Sequence, residues 1–214
     1  SPSNKDFEGR SGRVHLFEKA GAEWKHKQTL KSPAGIRNEG YGLKLQGAAG
    51  RLAISGQTRV RGLNLPVSCI HLYEPSRNGI WGLRATVAHP WLSERIRNNS
   101  GEDWFDVADF KVNGDWLVLA GYSQNYTLSQ TTRMLKIYGR SSKGQWRFRQ
   151  SVTVPEMLGA SFLGGLRLVL RDRMAVLALQ GEQSQSPQGS QGWIHAFLRL
   201  NGVWDYSDSW SGPL

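Results

Sequence analysis

The sequence predicts an all-β fold built from four-stranded antiparallel units, and three observations carry that prediction. One hairpin is written four times: "VHLFEKAGAEW" (Val14–Trp24), "IHLYEPSRNGIW" (Ile70–Trp81), "LKIYGRSSKGQW" (Leu135–Trp146) and "IHAFLRLNGVW" (Ile194–Trp204). The last three are preceded by a second hairpin: "YGLKLQGAAGRLAISG" (Tyr41–Gly56), "ADFKVNGDWLVLAG" (Ala108–Gly121) and "LRLVLRDRMAVLALQG" (Leu166–Gly181). The two hairpins keep register, with 17 residues from Gly56 to Tyr73, 17 from Gly121 to Tyr138 and 16 from Gly181 to Phe197.

Each element follows from its residues. In "RVHLFEK" the side chains alternate, the period of a strand with two different faces. The turns carry Gly21, Gly79, Gly144 and Gly202, and glycine tolerates the positive φ that tight hairpins need. An aromatic precedes each closing Trp by 7 or 8 residues. Trp24, Trp81, Trp146 and Trp204 are therefore expected at equivalent, mostly buried positions, where a Trp supplies a large apolar area across the hairpin. In the preceding hairpins "NGD" is a strong turn signal and "RDR" a weak one. The runs "LAI", "LVLA" and "AVLAL" read as strands buried on both faces.

The Trp-to-Trp spacings are 57, 65 and 58. Such a unit cannot bury both faces alone, so neighbours must stack on it. Four-stranded units arranged radially make a β-propeller. We read residues 1–214 as a single β-propeller domain or fragment of about three and a half blades: a half-blade at 12–31 and blades at about 40–90, 104–155 and 162–212. Propellers typically have about 4–8 blades. A protein partner or a missing chain segment is therefore expected to complete the ring, pairing with the free edge of the "VHLF" strand.

The repeat resembles the FG-GAP family of integrin-α-like β-propellers. "GRVHLFEKAGAEWKHKQTL" (Gly12–Leu30) is similar to its second hairpin and "FDVADFKVNGDWLVLAGY" (Phe105–Tyr122) to its first. The resemblance implies a recognition module of an extracellular or envelope protein, with a protein or an anionic glycan as ligand. The Phe-Gly pair has decayed to "YG", "FD" and "FLG". Many family members carry a calcium loop, but "QTRVRGLNLPVS", "YSQNYTLSQTTR" and "EQSQSPQGSQG" lack the clustered carboxylates that Ca²⁺ requires. No metal or cofactor is carried over.

Composition bounds the remaining possibilities. The 214 residues are 39% hydrophobic and 21% charged, with a formal net charge of +10. A basic surface attracts polyanions, so a nucleic-acid-binding propeller is one alternative. Nothing approaches the roughly 20 apolar residues of a membrane helix, and "SPSNKDFEGR" carries no signal-peptide pattern. The single Cys69 excludes an internal disulfide and reads as a small buried residue. His15, His71 and His195 occupy one repeat position, expected to be too far apart to share a metal. His26 and His89 have no ligand-spaced partner. Glu102, Asp103 and Asp106 group in "GEDWFD", a loop entering a strand. No nucleophile, phosphate-loop or dinucleotide motif is present. Catalysis has no positive support, and an enzyme domain whose site lies partly outside this chain is the other alternative. Binding has more support. "HPWLSERIRNNSGEDW" combines Trp91 and Trp104 with Arg95 and Arg97, a set suited to sugar faces or stacked bases. Lys25, Lys27, Arg84, Arg147 and Arg149 form a basic outer edge, which also protects against edge-to-edge pairing.

Overall fold

The computed structural model describes residues 12–34, 40–48, 50–59, 67–88, 104–125, 130–155, 165–180 and 191–213. These residues form strands and short turns. The first sheet holds two strands, β1 (Arg13–Ala20) and β2 (Glu23–Lys31). Three four-stranded sheets follow, each a simple up-and-down meander. The second joins β3 (Leu45–Ala48), β4 (Arg51–Thr58), β5 (Val67–Pro75) and β6 (Trp81–Ala88). The third joins β7 (Trp104–Asn113), β8 (Trp116–Asn125), β9 (Gln130–Arg140) and β10 (Trp146–Thr153). The fourth joins β11 (Leu166–Arg171), β12 (Met174–Gln180), β13 (Gln191–Leu200) and β14 (Val203–Pro213). All pairings are antiparallel. The hairpins of the sequence are thus the hairpins of the fold.

The turn chemistry explains the closures. Gly21, Gly79, Gly144 and Gly202 all take positive φ, from 65° to 84°, where a Cβ would be strained. In the last hairpin Asn201 (φ 52°) joins Gly202, the pair of positive values that a type I′ turn demands. The weak "RDR" turn closes by placing Asp172 at φ 37°, a conformation that Asp tolerates better than most residues.

The register is repeated to the residue. Phe17, Tyr73, Tyr138 and Phe197 face His26, Leu83, Phe148 and Tyr206, each two positions past the Trp. Beside that pair every copy has a bulge, whose extra residue is Lys27, Arg84, Arg149 or Ser207. A bulge bends an outer strand and disrupts its ladder. The four Trp residues are equivalent in register but not in burial. Trp204 is 1% exposed and Trp24 is 68% exposed, with Trp81 and Trp146 half-buried. The expectation of four mostly buried Trp residues is therefore corrected. A Trp at this position is covered only where a neighbouring sheet lies against its face.

The chain divides into two compact units, Ser1–Asn98 and Asn99–Leu214. In the first, Val14 and Leu30 of the β1–β2 hairpin pack on Tyr41, Ile54 and Tyr73. In the second, Val118, Ala120, Leu135, Ile137 and Val152 of the third sheet pack on Leu168, Leu177, Phe197 and Trp204 of the fourth. Each fully buried large apolar side chain contributes about 1.5–3 kcal/mol. "LVLA" on β8 is buried on both faces, as predicted. "AVLAL" on β12 is not. Ala175, Leu177 and Leu179 are buried, whereas Val176 and Ala178 on the other face are half-covered. The period-two pleat sends those two side chains to the side away from the core.

Candidate functional site

The β1–β2 hairpin is the least satisfied element. Strands β5, β9 and β13 each pair on both sides, but among the described residues their counterpart β1 pairs only with β2. One long side of β1 therefore has no partner strand among the described residues, which makes it a template for another strand. Its side chains agree. Phe17 is 56% exposed, whereas Tyr73, Tyr138 and Phe197 are 4%, 4% and 0% exposed. Among the described residues Phe17 stacks with its cross-strand partner, edge-on to the His26 ring at 5.6 Å.

The outer strands β2, β6 and β10 carry the basic edge that the sequence predicts. Lys25, Lys27, Arg84, Arg147 and Arg149 are all exposed. Lys27, Arg84 and Arg149 are the bulge residues themselves. Two of them meet carboxylates: Lys27 Nζ lies 2.9 Å from Glu18, and Arg84 Nε lies 3.9 Å from Glu74. Charged, bulged outer strands resist edge-to-edge pairing; β1 carries charge at Arg13, Glu18 and Lys19, but the extra bulge residue of its hairpin lies on β2.

The residue after the bulge joins neighbouring sheets. Gln28 Nε2 donates to the Trp81 carbonyl and Gln28 Oε1 accepts from the Trp81 N–H, both at 2.9 Å. Gln150 repeats this on Trp204, donating at 2.6 Å and accepting at 2.9 Å. In the second unit Asp109 bridges β7 and β11 as an acceptor. Its carboxylate accepts from Phe110 N–H at 2.9 Å and from Leu168 N–H at 2.8 Å, across to β11. No protein-family model matches this chain. No curated protein matches it either.

A polar cluster is buried in the first unit. Cys69 Sγ lies 3.3 Å from His71 Nε2, His71 Nδ1 lies 3.0 Å from Thr86 Oγ1, and Tyr41 OH donates to Tyr73 OH at 2.9 Å. The Tyr41 ring lies 5.7 Å from the imidazole. Residues two apart on a strand share a face, so the Cys69–His71 contact was legible in "CIH" and the sequence reading missed it. Burial pulls the His71 imidazole below its usual range, a hydrogen bond with the Gln57 backbone opposing it. A neutral imidazole beside a buried thiol is a packed, hydrogen-bonded interior pair rather than a thiolate nucleophile. His15 Nδ1 meets Thr29 Oγ1 at 3.0 Å, as His71 meets Thr86. The repeat thus pairs the third-strand His with an opposite hydroxyl. In the fourth sheet Ser209 faces His195, yet neither ring nitrogen of His195 has a hydrogen-bond partner among the described residues. Among the described residues no three His, Cys, Asp or Glu side chains gather to hold a metal ion.

The predicted ligand set Trp91, Arg95, Arg97 and Trp104 falls largely outside the described residues. Trp91, Arg95 and Arg97 lie in the segment 89–103, and Trp104 opens β7 with its backbone opposite Gln124. The aromatic–cationic cluster that the structure does assemble is a different one. The Arg199 guanidinium sits 4.5 Å from the Trp116 ring centroid and 5.8 Å from that of Trp204. It links β8, β13 and β14 at the margin of the second unit's core, with Arg199 and Trp116 half-buried and Trp204 buried.

Proposed function

We propose that this chain is a recognition and scaffold module whose sheets are blades of an FG-GAP-like β-propeller, and that it takes a protein partner by strand addition along the free edge of β1. The observation that carries the reading is the unmatched edge. Among the described residues three copies of the repeat pair this strand on both sides, one copy pairs it on one, and the aromatic that the others bury is left exposed there. The propeller part is supported by the Gln–Trp backbone clamp, which joins outer strand to outer strand in both units. Strand addition draws its affinity from main-chain hydrogen bonds and its specificity from alternate side chains. Placement on an extracellular or envelope protein follows from the family resemblance only.

The probe is a synthetic hairpin peptide of residues 165–180, the segment that pairs with the edge of β13 corresponding to the free edge of β1. Hydrogen exchange on the 214-residue chain, with and without peptide, reads the edge directly. Expected is slowed exchange of alternate amides between Val14 and Ala20, with β2 unchanged. Binding without protection of β1, or no binding at all, overturns the reading.

A second reading is an anionic glycan or nucleic acid held by the outer strands. It is favoured by one observation, the exposed Lys27, Arg84 and Arg149 at three equivalent bulges.

A further inference from the structure

Both joints between adjacent sheets are built the same way, and each has a giving and a receiving side. In the second unit the giving side is the face of the third sheet that carries Leu135, Ile137, Gln150 and Val152. The receiving side is the face of the fourth sheet that carries Phe197 and Trp204. The β1–β2 hairpin gives to the second sheet through Val14, Leu30 and Gln28.

The same positions can be followed to the far face of the fourth sheet and the far face of the β1–β2 hairpin. In the fourth sheet the counterparts of Leu135, Ile137 and Val152 are Ile194, Ala196 and Trp210, by identical pairing register. Leu135 and Val152 are 0% and 8% exposed, whereas Ile194 and Trp210 are 44% and 52% exposed. Val169, Met174 and Leu198 lie exposed on the same side. An apolar sheet face of this kind marks an interaction surface. At the other end, the β1–β2 hairpin exposes Phe17 and Trp24, the counterparts of the receiving Phe197 and Trp204. One chain thus carries an uncovered giving face and an uncovered receiving face of a joint it already makes internally. The giving face carries Asp205 and Asp208 on its outer strand and Arg167 and Arg171 on β11, and the receiving face carries Lys19 directly opposite Trp24, so Lys19 meets the acidic side of a face of mixed charge.

We propose that the chain associates with a second copy of itself head to tail, the outer face of β11–β14 of one copy seating on the Phe17–Trp24 face of the next. The contact is heterologous, so it propagates from copy to copy until it closes or runs on as a filament. The clamp is half-built at this joint. Asp208 stands where Gln28 and Gln150 stand in the internal joints. Its carboxylate can accept from the Trp24 N–H but has no proton for the Trp24 carbonyl. The association does not depend on strand addition at β1, which uses the edge of the hairpin rather than its face.

Sedimentation velocity on the purified chain tests it, against a one-chain mass of 23.9 kDa. Expected is a mass that rises with concentration. Trp210→Glu and Trp24→Glu each change an exposed residue, and circular dichroism checks that both variants keep their strands. Each variant alone should stay monomeric. Mixed, they should form a dimer of twice the one-chain mass and nothing larger, because each supplies the face the other has lost. Asp208→Gln should tighten the wild-type association about fivefold by completing the clamp. A chain monomeric at every concentration, a mixture that stays monomeric, or single variants that still associate would each overturn the proposal.

Discussion

Gly56 has no Cβ because the His71 ring occupies that space. A Cβ built there would stand 2.9 Å from His71 Nε2 and 3.2 Å from the Tyr41 ring, and the buried imidazole is held by Thr86 and cannot give way. Gly56→Ala should therefore cost about 1–3 kcal/mol by overpacking, read as a lower urea midpoint. His71 and His195 also set a pH dependence. Burial holds both below their usual range, Arg133 adding to the effect at His195. The folded state thus binds fewer protons than the unfolded chain. Their contribution is complete above the unfolded value of about 6.5 and is lost as pH falls below it, at no more than about 1.4 kcal/mol per pH unit for each. Urea midpoints at pH 8 and pH 5 should differ in that direction, and His71→Gln should flatten the difference. The Trp residues make a third test. Trp204→Ala should cost about 3–5 kcal/mol. Trp24→Ala in the monomer should stay within about 0.5 kcal/mol, since surface changes rarely exceed it. Equal losses at both sites would contradict the burial contrast.

The outer strand does two jobs with adjacent residues. Its bulge turns a basic side chain outward, and the following Gln reaches the backbone of the next Trp. In sequence this is a Gln four residues after the Trp, present at Gln28 and Gln150, with Ala85 and Asp208 in the other two copies. The spacing was visible but carried no meaning until the partner strand was known. Gln150→Ala removes two hydrogen bonds and strands the polar groups of a buried Trp backbone. A loss of about 1–3 kcal/mol is expected, with a mid-range thermal or urea transition as the readout. Gln150→Glu, which accepts but does not donate, should fall between the two. Asp109 was missed for a related reason. The sequence reading noted the acids of "GEDWFD", while the buried acid sits three residues on, set by a bulge beside Ala108 and satisfied by a strand 59 residues away.

Over the whole molecule the net charge of +10 separates the two functional readings. If the basic outer strands bind polyanions, heparin and duplex DNA should both be retained at low salt and released as salt rises, with log affinity falling linearly in log salt. Lys27→Glu and Arg149→Glu should each weaken retention in proportion to the charge removed. A protein-recognition module taking strands at β1 should bind heparin only weakly and with the same slope for both variants and wild type. The oligomeric reading adds that association must weaken when either exposed Trp face is blocked.

The hairpins, their turns and their register were determined by the sequence alone, because period-two alternation, positive-φ glycines and cross-strand aromatics act over a dozen residues or fewer. Four equivalent turn glycines follow from that local code, whereas the four equivalent bulges appear only once the strands are paired. What it does not contain is coverage. Phe17 and Phe197, or Trp24 and Trp204, are the same residue at the same repeat position, and one of each pair is exposed while the other is buried. The difference lies in whether another sheet stands against that face. The same holds for Gln150 and Asp109, whose partners lie 54 and 59 residues away. Burial and bridging are sums over distant contacts, so only the tertiary structure decided which copies of the repeat are core and which are surfaces open to a partner.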